Sequence, residues 1–308
     1  MHNAQPWYFS YARHSRTFTL SVDLERAMPH ADPTTRGMHL GCGAALLNLR
    51  VAAAHTGHQT STTLLPDSHA PALLAVMRLD DSHEHVDEAL PGLYPALHDR
   101  HTSRFPFSER QIPEHVRAAL AGAAAGEGAQ LTFLTTPHRE TVLDLITHAE
   151  GYNRMDTARE EEQRRWTHDA SSGEPMPTAG IPDYAFGPVA PSGSAPTRDF
   201  AGRHPVPGRA HADFERRPQL ATLSTTGDGP ADWLRAGQAL ERVLLLATLQ
   251  GIASSFAAQP VEWPDLRWIL RDPVSGAGQV HMILRLGYGP RGPRTPRRPV
   301  DQVLTIKP

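Results

Sequence analysis

Arg100-His101-Thr102-Ser103-Arg104 is the run of this chain best equipped for chemistry, with two arginines flanking small hydroxyl side chains. A guanidinium grips phosphate bidentately and hydroxyls complete the shell of donors, so the pattern suits a phosphate-bearing ligand. Taken alone, it also reads as a solvated basic turn. Arg294, Arg297 and Arg298, around Pro296 and Pro299, form a second arginine cluster near the other end of the chain. Alone, that cluster reads as a basic tail.

Other residue patterns carry less. Gly41-Cys42-Gly43 opens like a dinucleotide fingerprint, but Leu46 takes the third glycine position and no βαβ unit follows. His83-Glu84-His85 beside Asp80 and Asp81 offers metal ligands, yet adjacent side chains alternate direction and the run is polar throughout. A solvated connector is the better reading, and no metal is expected. Cys42 is the only cysteine, which excludes an internal disulfide and a CxxC site; it reads as a small buried hydrophobe. Lys307 is the only lysine, so Schiff-base and Walker-lysine chemistry have no residue to use.

What must position these residues is written twice. Gly43, Gly57 and Pro66 recur as Gly237, Gly251 and Pro260, and Ala45, Leu46, Leu49, Val51 and Ala53 match Ala239, Leu240, Val243, Leu245 and Ala247 at the same offset. Each half therefore holds a helix ending near a glycine, then a loop to a proline. Two copies of one unit predict a fused pseudo-dimer, with the site in the seam between halves.

Around the repeated helices, Trp7–Ala12 and Thr17–Asp23 read as strands; in the second, Phe18, Leu20 and Val22 alternate with polar residues. The first helix copy lies within Thr34–Gly57, capped near Asp32 or Thr34. Ala72–Leu79 is a helix or a strand. Glu109–Ala124 reads as a helix, Leu131–Thr135 as a strand, and Arg139–His168 as one long helix with Leu143, Ile146, Ala149 and Tyr152 on a face. Residues 170–217 turn rich in Pro, Gly, Ala and Ser and read as a linker or a lid. Leu220–Thr226 reads as a strand, Asp232–Gly251 as the second helix copy and Asp265–Arg271 as a short helix. Val280, Met282 and Leu284 mark a central strand, and Val303–Ile306 a terminal strand able to cross to another sheet.

The net charge of -3 gives no reason to expect nucleic acid or an anionic membrane as partner. Val243 to Ala258, the longest apolar stretch, is too short and too polar to span a bilayer. With no signal-like start, the expectation is a cytoplasmic protein acting on a small molecule, a monomer as pseudo-dimer or a weak homodimer.

Four of these segments, in order, resemble the flavin-dependent nitroreductase family. His2-Asn3-Ala4-Gln5-Pro6-Trp7 is similar to its Pro-Ser-x-x-Asn-x-Gln-Pro-Trp segment, Arg100–Arg104 to its Arg-Arg/His-Ser-x-Arg/Lys segment, Pro260-Val261-Glu262 to its Pro-(Ile/Val)-Glu element, and Pro296-Arg297-Arg298-Pro299 to its C-terminal basic clamp. Order and spacing most resemble the Acg-like branch, in which two nitroreductase units are fused. The chain departs at its start, where Met1 takes the place of part of the motif; that bears on cofactor affinity, not fold.

The resemblance implies an α+β, internally duplicated fold, with units at 1–95 and 96–308 and a lid over about 170–217. It implies one FMN site. Arg100, Arg104 and Arg297 or Arg298 would hold the phosphate with Thr102, Asn3 and His101 would lie near the ribityl chain or ring, and Gln5 would also belong to the cofactor site. Pro260, Val261 and Glu262 would meet the ring edge through a backbone N–H. The implied activity is a two-electron ping-pong reaction, with NADPH or NADH as donor and a small organic acceptor. Tyr184 and Phe186 are the expected lid contacts, and His101 the one candidate for proton delivery. An FMN-storing protein without turnover, and a relic without cofactor, are the alternative readings.

Overall fold

The computed structural model describes residues 2–80, 87–173, 175–191, 196–204, 206–273, 276 and 278–308. In the first half, β1 (Trp7–Ala12) and β2 (Thr17–Val22) form a hairpin, followed by α1 (Arg36–His55), β3 (Gln59–Leu64) and β4 (Leu73–Asp80). Next come α2 (Ala96–Asp99), α3 (Glu114–Ala125), β5 (Gln130–Phe133), α4 (Thr136–Met155) and α5 (Thr157–Arg165). β6 (Thr167–His168) leads into the inserted segment, which carries β7 (Ile181–Pro182). Then follow β8 (Gln219–Thr225), α6 (Pro230–Leu249), β9 (Ala253–Phe256), α7 (Pro264–Ile269), β10 (Gln279–Gly287), α8 (Val300–Val303) and β11 (Leu304–Lys307).

The two main sheets share one plan. Their orders are β11-β1-β2-β4-β3 and β5-β8-β10-β9. Setting β11 aside, every neighbouring pair in both is antiparallel. α1 precedes the edge strand β3, and α6 the edge strand β9. The fold is therefore α+β. β11 crosses from the second half to lie parallel to β1, with Phe9 opposite Leu304. It starts one residue later than the sequence suggests because Val303 still belongs to α8.

α1 and α6 pack directly on each other because glycines meet at their crossing. A Cβ on Gly43 would overlap the Leu234 carbonyl oxygen, and one on Gly237 would overlap that of Leu40. Both helices are buried on nearly all sides, unlike a surface helix with a single apolar stripe. Asp32 caps α1 from a distance, accepting from the Gly37 and Met38 N–H groups at 2.9 Å. Leu46, Leu234 and the inward faces of β2 and β4 form the core of the first half. The second sheet is covered on both faces, by α3 and α6 on one and by α4 and α7 on the other.

Three expectations change. The loop after each repeated helix is a strand: β3 is a run of threonine and serine, and β9 buries Ser254 and Ser255, so neither displays apolar alternation. The helix expected over Arg139–His168 breaks at Asp156, whose carboxylate accepts from the Ala158 and Arg159 N–H groups and starts α5. The helix expected from Glu109 begins at Glu114, after Pro113. Ala72–Leu79 resolves as β4. His83-Glu84-His85 lies outside the described residues.

Candidate functional site

A cavity of about 300 Å³ lies where α1, α6, the N-terminal segment, the 100–104 loop, the 259–262 turn and the insertion meet. Its floor is one face of α1, where Gly37, Leu40, Gly41, Ala44 and Asn48 recur at helical spacing. Three of those five have little or no side chain, so this face of the helix presents little bulk to the cavity. Leu240 and Leu244 of α6, with Phe256 and Met282, supply apolar wall.

One end is a cluster of cations. Arg100, His101, Thr102 and Arg297 line it. Burial lowers the His101 imidazole below its ordinary value, and so do Arg100, Arg297 and Arg294. The Arg297 guanidinium is likewise depressed, by burial and then by Arg100. Glu241 partly balances the group, its Oε1 lying 3.0 Å from Arg100 Nε. Arg297 is held in place by Thr295 Oγ1 at 2.8 Å and Asn3 Oδ1 at 3.2 Å. Such mutual repulsion is what an anion would relieve.

Arg104 departs from that cluster. Its guanidinium stands 4.7 Å from the Phe200 ring centroid and donates to Ala185 O at 2.8 Å. Burial first, then Arg198, push it down to about 10. Arg198, from the insertion, donates to Glu262 Oε2 at 2.6 Å. Burial opposes its charge, but Glu262 and Glu150 outweigh that and hold its pKa above the ordinary value. His2 lies against Arg198; burial and that guanidinium drive its pKa well down.

Of the residues expected from sequence, Asn3, Gln5, Arg100, His101, Thr102, Arg104, Val261, Glu262 and Arg297 line this one cavity, while Pro260, Arg298, Tyr184 and Phe186 do not. Arg298 is a brace: it donates to the Gln5 and Trp7 carbonyls and approaches Asp23 at 3.5 Å. Tyr184 is exposed, its hydroxyl donating to Arg294 O. Phe186 is buried in the insertion's own apolar cluster with Ile181, Ala185 and Phe200. Ile181, Arg198 and Phe200 face the cavity instead. Their signal in the sequence was slight: an isolated arginine and an aromatic among small residues.

The amides of Asn3 and Gln5 are committed to backbone. Asn3 Nδ2 donates to Gly180 O and Pro296 O, and Gln5 Nε2 to Thr178 O, while Gln5 Oε1 accepts from Arg298 N. These two side chains tie insertion and tail together beside the cavity. Val261 N–H is spent on Ala258 O and its carbonyl on Arg36. Arg36 is buried at the start of α1 and also donates to His281 O at 2.9 Å. Sequence reasoning missed it because it looked like an ordinary first-turn residue.

Two other groups are unsuited to chemistry. Burial pushes the Cys42 thiol up, and its Sγ contacts Pro6 O. His101, surrounded by guanidiniums, is held neutral near pH 7 and is a poor store for a proton. Among the described residues, no helix is long and apolar enough to cross a membrane.

No protein-family model matches the chain. An uncharacterised protein of Mycobacterium tuberculosis (strain H37Rv) is 29% identical over 314 residues, covering 100% of this chain and 89% of its own length. A protein of the same strain, named "Putative NAD(P)H nitroreductase", is 31% identical over 319 residues, covering 99% of this chain and 87% of its own length. Among solved structures, an FMN- and NADPH-dependent nitroreductase from Sphigopyxis sp. strain HMH is 19% identical with a TM-score of 0.43, over 70% of this chain and 99% of that one. A nitroreductase with bound FMN from Bacteroides fragilis is 18% identical with a TM-score of 0.40, over 68% and 94%. On the full-length match at 31% identity, the chain belongs to the nitroreductase family.

Proposed function

We propose that this chain is an FMN-dependent oxidoreductase that takes two electrons from NADH or NADPH and passes them, in a ping-pong sequence, to a small organic acceptor. It is built from two nitroreductase-like units, 1–95 and 96–308. The matching strand plans and the glycine-to-glycine helix crossing support the duplication.

The observation that carries the reading is the division of cations within one cavity lined by a small-residue face of α1. FMN has a dianionic phosphate at one end and a planar ring at the other. Arg100 and Arg297 fit the phosphate, with Thr102 beside them; Glu241 leaves that cluster short of negative charge. Arg104, buried and depressed by Arg198, fits the ring end, where negative charge accumulates on reduction. The small residues of α1 allow close approach, and the cavity is of the size small-molecule sites use, roughly 300–1,000 Å³.

Bound there, FMN would supply reversible hydride chemistry that no side chain of this protein can. The protein's share is binding, orientation and exclusion of water. Ile181 and Phe200 cover the ring end, and Arg198 fixes the insertion to Glu262.

The purified protein, titrated with FMN, should quench flavin fluorescence at one equivalent. Anaerobic NADPH or NADH should then bleach the bound flavin. A flavin that binds yet stays oxidised would favour storage; no binding at all would remove the reading.

A further inference from the structure

Behind Glu262 lies a second, smaller hollow of about 30 Å³, lined by Ala31, Glu150, Asn153, Arg154, Glu160 and Gly202. His2, Arg198 and Glu262 belong to its wall and to the wall of the main cavity. The hollow reaches the surface at Arg154, which is exposed. It thus adjoins the ring end of the proposed FMN site through His2, Arg198 and Glu262, away from the cation-lined end.

Its buried polar atoms are under-satisfied. Arg159 Nη1 and Arg198 Nε lack acceptors, and Glu160 Oε1 and Glu262 Oε1 lack donors. Arg159 Nη1 comes no closer than 3.6 Å to Glu262 Oε2. Donors and acceptors left facing one small polar space are what bridging waters satisfy, and the volume suits roughly two of them.

We propose that this hollow is a hydrated passage through which protons reach the main cavity at the wall the two share, with Glu150 as the proton-holding group. The proposal rests on the oxidoreductase reading. Reducing an organic acceptor by two electrons consumes a hydride equivalent and one proton. The hydride comes from the reduced cofactor, and the proton must come from water. His101 is a poor source, being ringed by Arg100, Arg294 and Arg297.

Glu150 is suited to the task. Its Oε1 accepts from Gln259 Nε2 at 2.6 Å, and burial raises its pKa; Arg198 and Arg154 lower it, while Asp199 raises it further. A carboxyl shifted toward neutral pH both takes and gives a proton there.

The test separates turnover that takes up a proton from turnover that takes up none. Loading electrons from NADPH is a hydride transfer that draws nothing from the passage, and ferricyanide takes electrons alone, so the hydride's proton is released to solvent and none is drawn inward. Glu150→Gln should slow reduction of a benzoquinone at least about tenfold and raise its solvent deuterium isotope effect. Cofactor loading and ferricyanide reduction should keep their rates. Ala31→Leu, which fills the hollow without removing a titratable group, should give the same selective loss. Equal slowing with both acceptors, or no slowing, overturns the proposal. High-resolution crystals of the cofactor-free protein should show waters on Arg159 Nη1, Arg198 Nε and Glu262 Oε1, and a dry hollow also overturns it. That measurement stands apart from FMN binding, whose failure would overturn the functional reading instead.

Discussion

Arg198 and Glu262 form a buried ion pair, Nη2 to Oε2 at 2.6 Å, that fastens the insertion to the turn preceding α7. Glu262 is also approached by Arg159, but only at 3.6 Å. Removing Arg198 would leave a buried carboxylate with one poorly placed partner, a change that costs about 3–5 kcal/mol. Arg198→Ala should therefore lower the unfolding free energy by about that range and loosen the insertion. Limited proteolysis should show new cuts within 170–217, and an unchanged digestion pattern would count against the pair as its fastening.

The two crossing glycines should be far less tolerant than glycines elsewhere. At Gly43 or Gly237 a methyl group meets backbone of the facing helix, which cannot retreat without separating α1 from α6. Gly43→Ala or Gly237→Ala should destabilise by about 1–3 kcal/mol. Gly122, in α3, has nothing within 4 Å of its would-be Cβ. Gly122→Ala should stabilise by about 0.5–1 kcal/mol, since alanine is the better helix former. Denaturant melts of the three variants check the contrast.

The division of cations predicts a division of phenotypes. Arg100→Ala and Arg297→Ala each remove a charge-assisted contact to the proposed phosphate and should weaken FMN binding by about 1.5–3 kcal/mol. Riboflavin, which lacks the phosphate, should bind both variants as it binds the parent. Arg104→Ala should instead weaken FMN and riboflavin alike. Fluorescence titration with both flavins reads the difference; a riboflavin loss in Arg100→Ala would contradict the assignment of ends.

Much of this arrangement was legible because it is carried by residues whose type has one plain use. Phe18, Leu20 and Val22 face one side of a strand, and Gly43 and Gly237 mark a close approach that larger residues forbid. Arg100 and Arg297, distant in sequence, line one cavity, as the family resemblance implied. The rest depends on tertiary context. β3 and β9 are polar strands stabilised by neighbouring strands and not by a period of their own. Arg104 and Arg100 look equivalent in sequence, yet the chain turns between them and sends one toward Phe200. In the insertion, Phe186 and Phe200 are both aromatics among small residues; which one faces inward is set by β7 and by Arg198, and no local pattern encodes that.

His281 predicts an acid limit to stability. Its ring is fully buried, with Nε2 2.5 Å from Thr225 Oγ1 and Nδ1 3.3 Å from Arg267 Nη2. Thr225 gives its own proton to Gly227 O, so Nε2 carries the ring's proton and Nδ1 must stay bare to face the Arg267 donor. Burial, then Arg267 and Arg36, press its pKa from 6.5 to about 3. Between those values the unfolded chain binds a proton that the folded chain refuses, so stability rises with pH and is lost on acidification. The loss from one such group approaches about 1.4 kcal/mol per pH unit, and His2 shifts in the same direction. His281→Asn should lower stability at pH 7 but flatten its decline between about pH 6.5 and pH 4.5 by close to one proton. Urea unfolding across that window measures the slope, and parallel declines in parent and variant would place the acid sensitivity elsewhere.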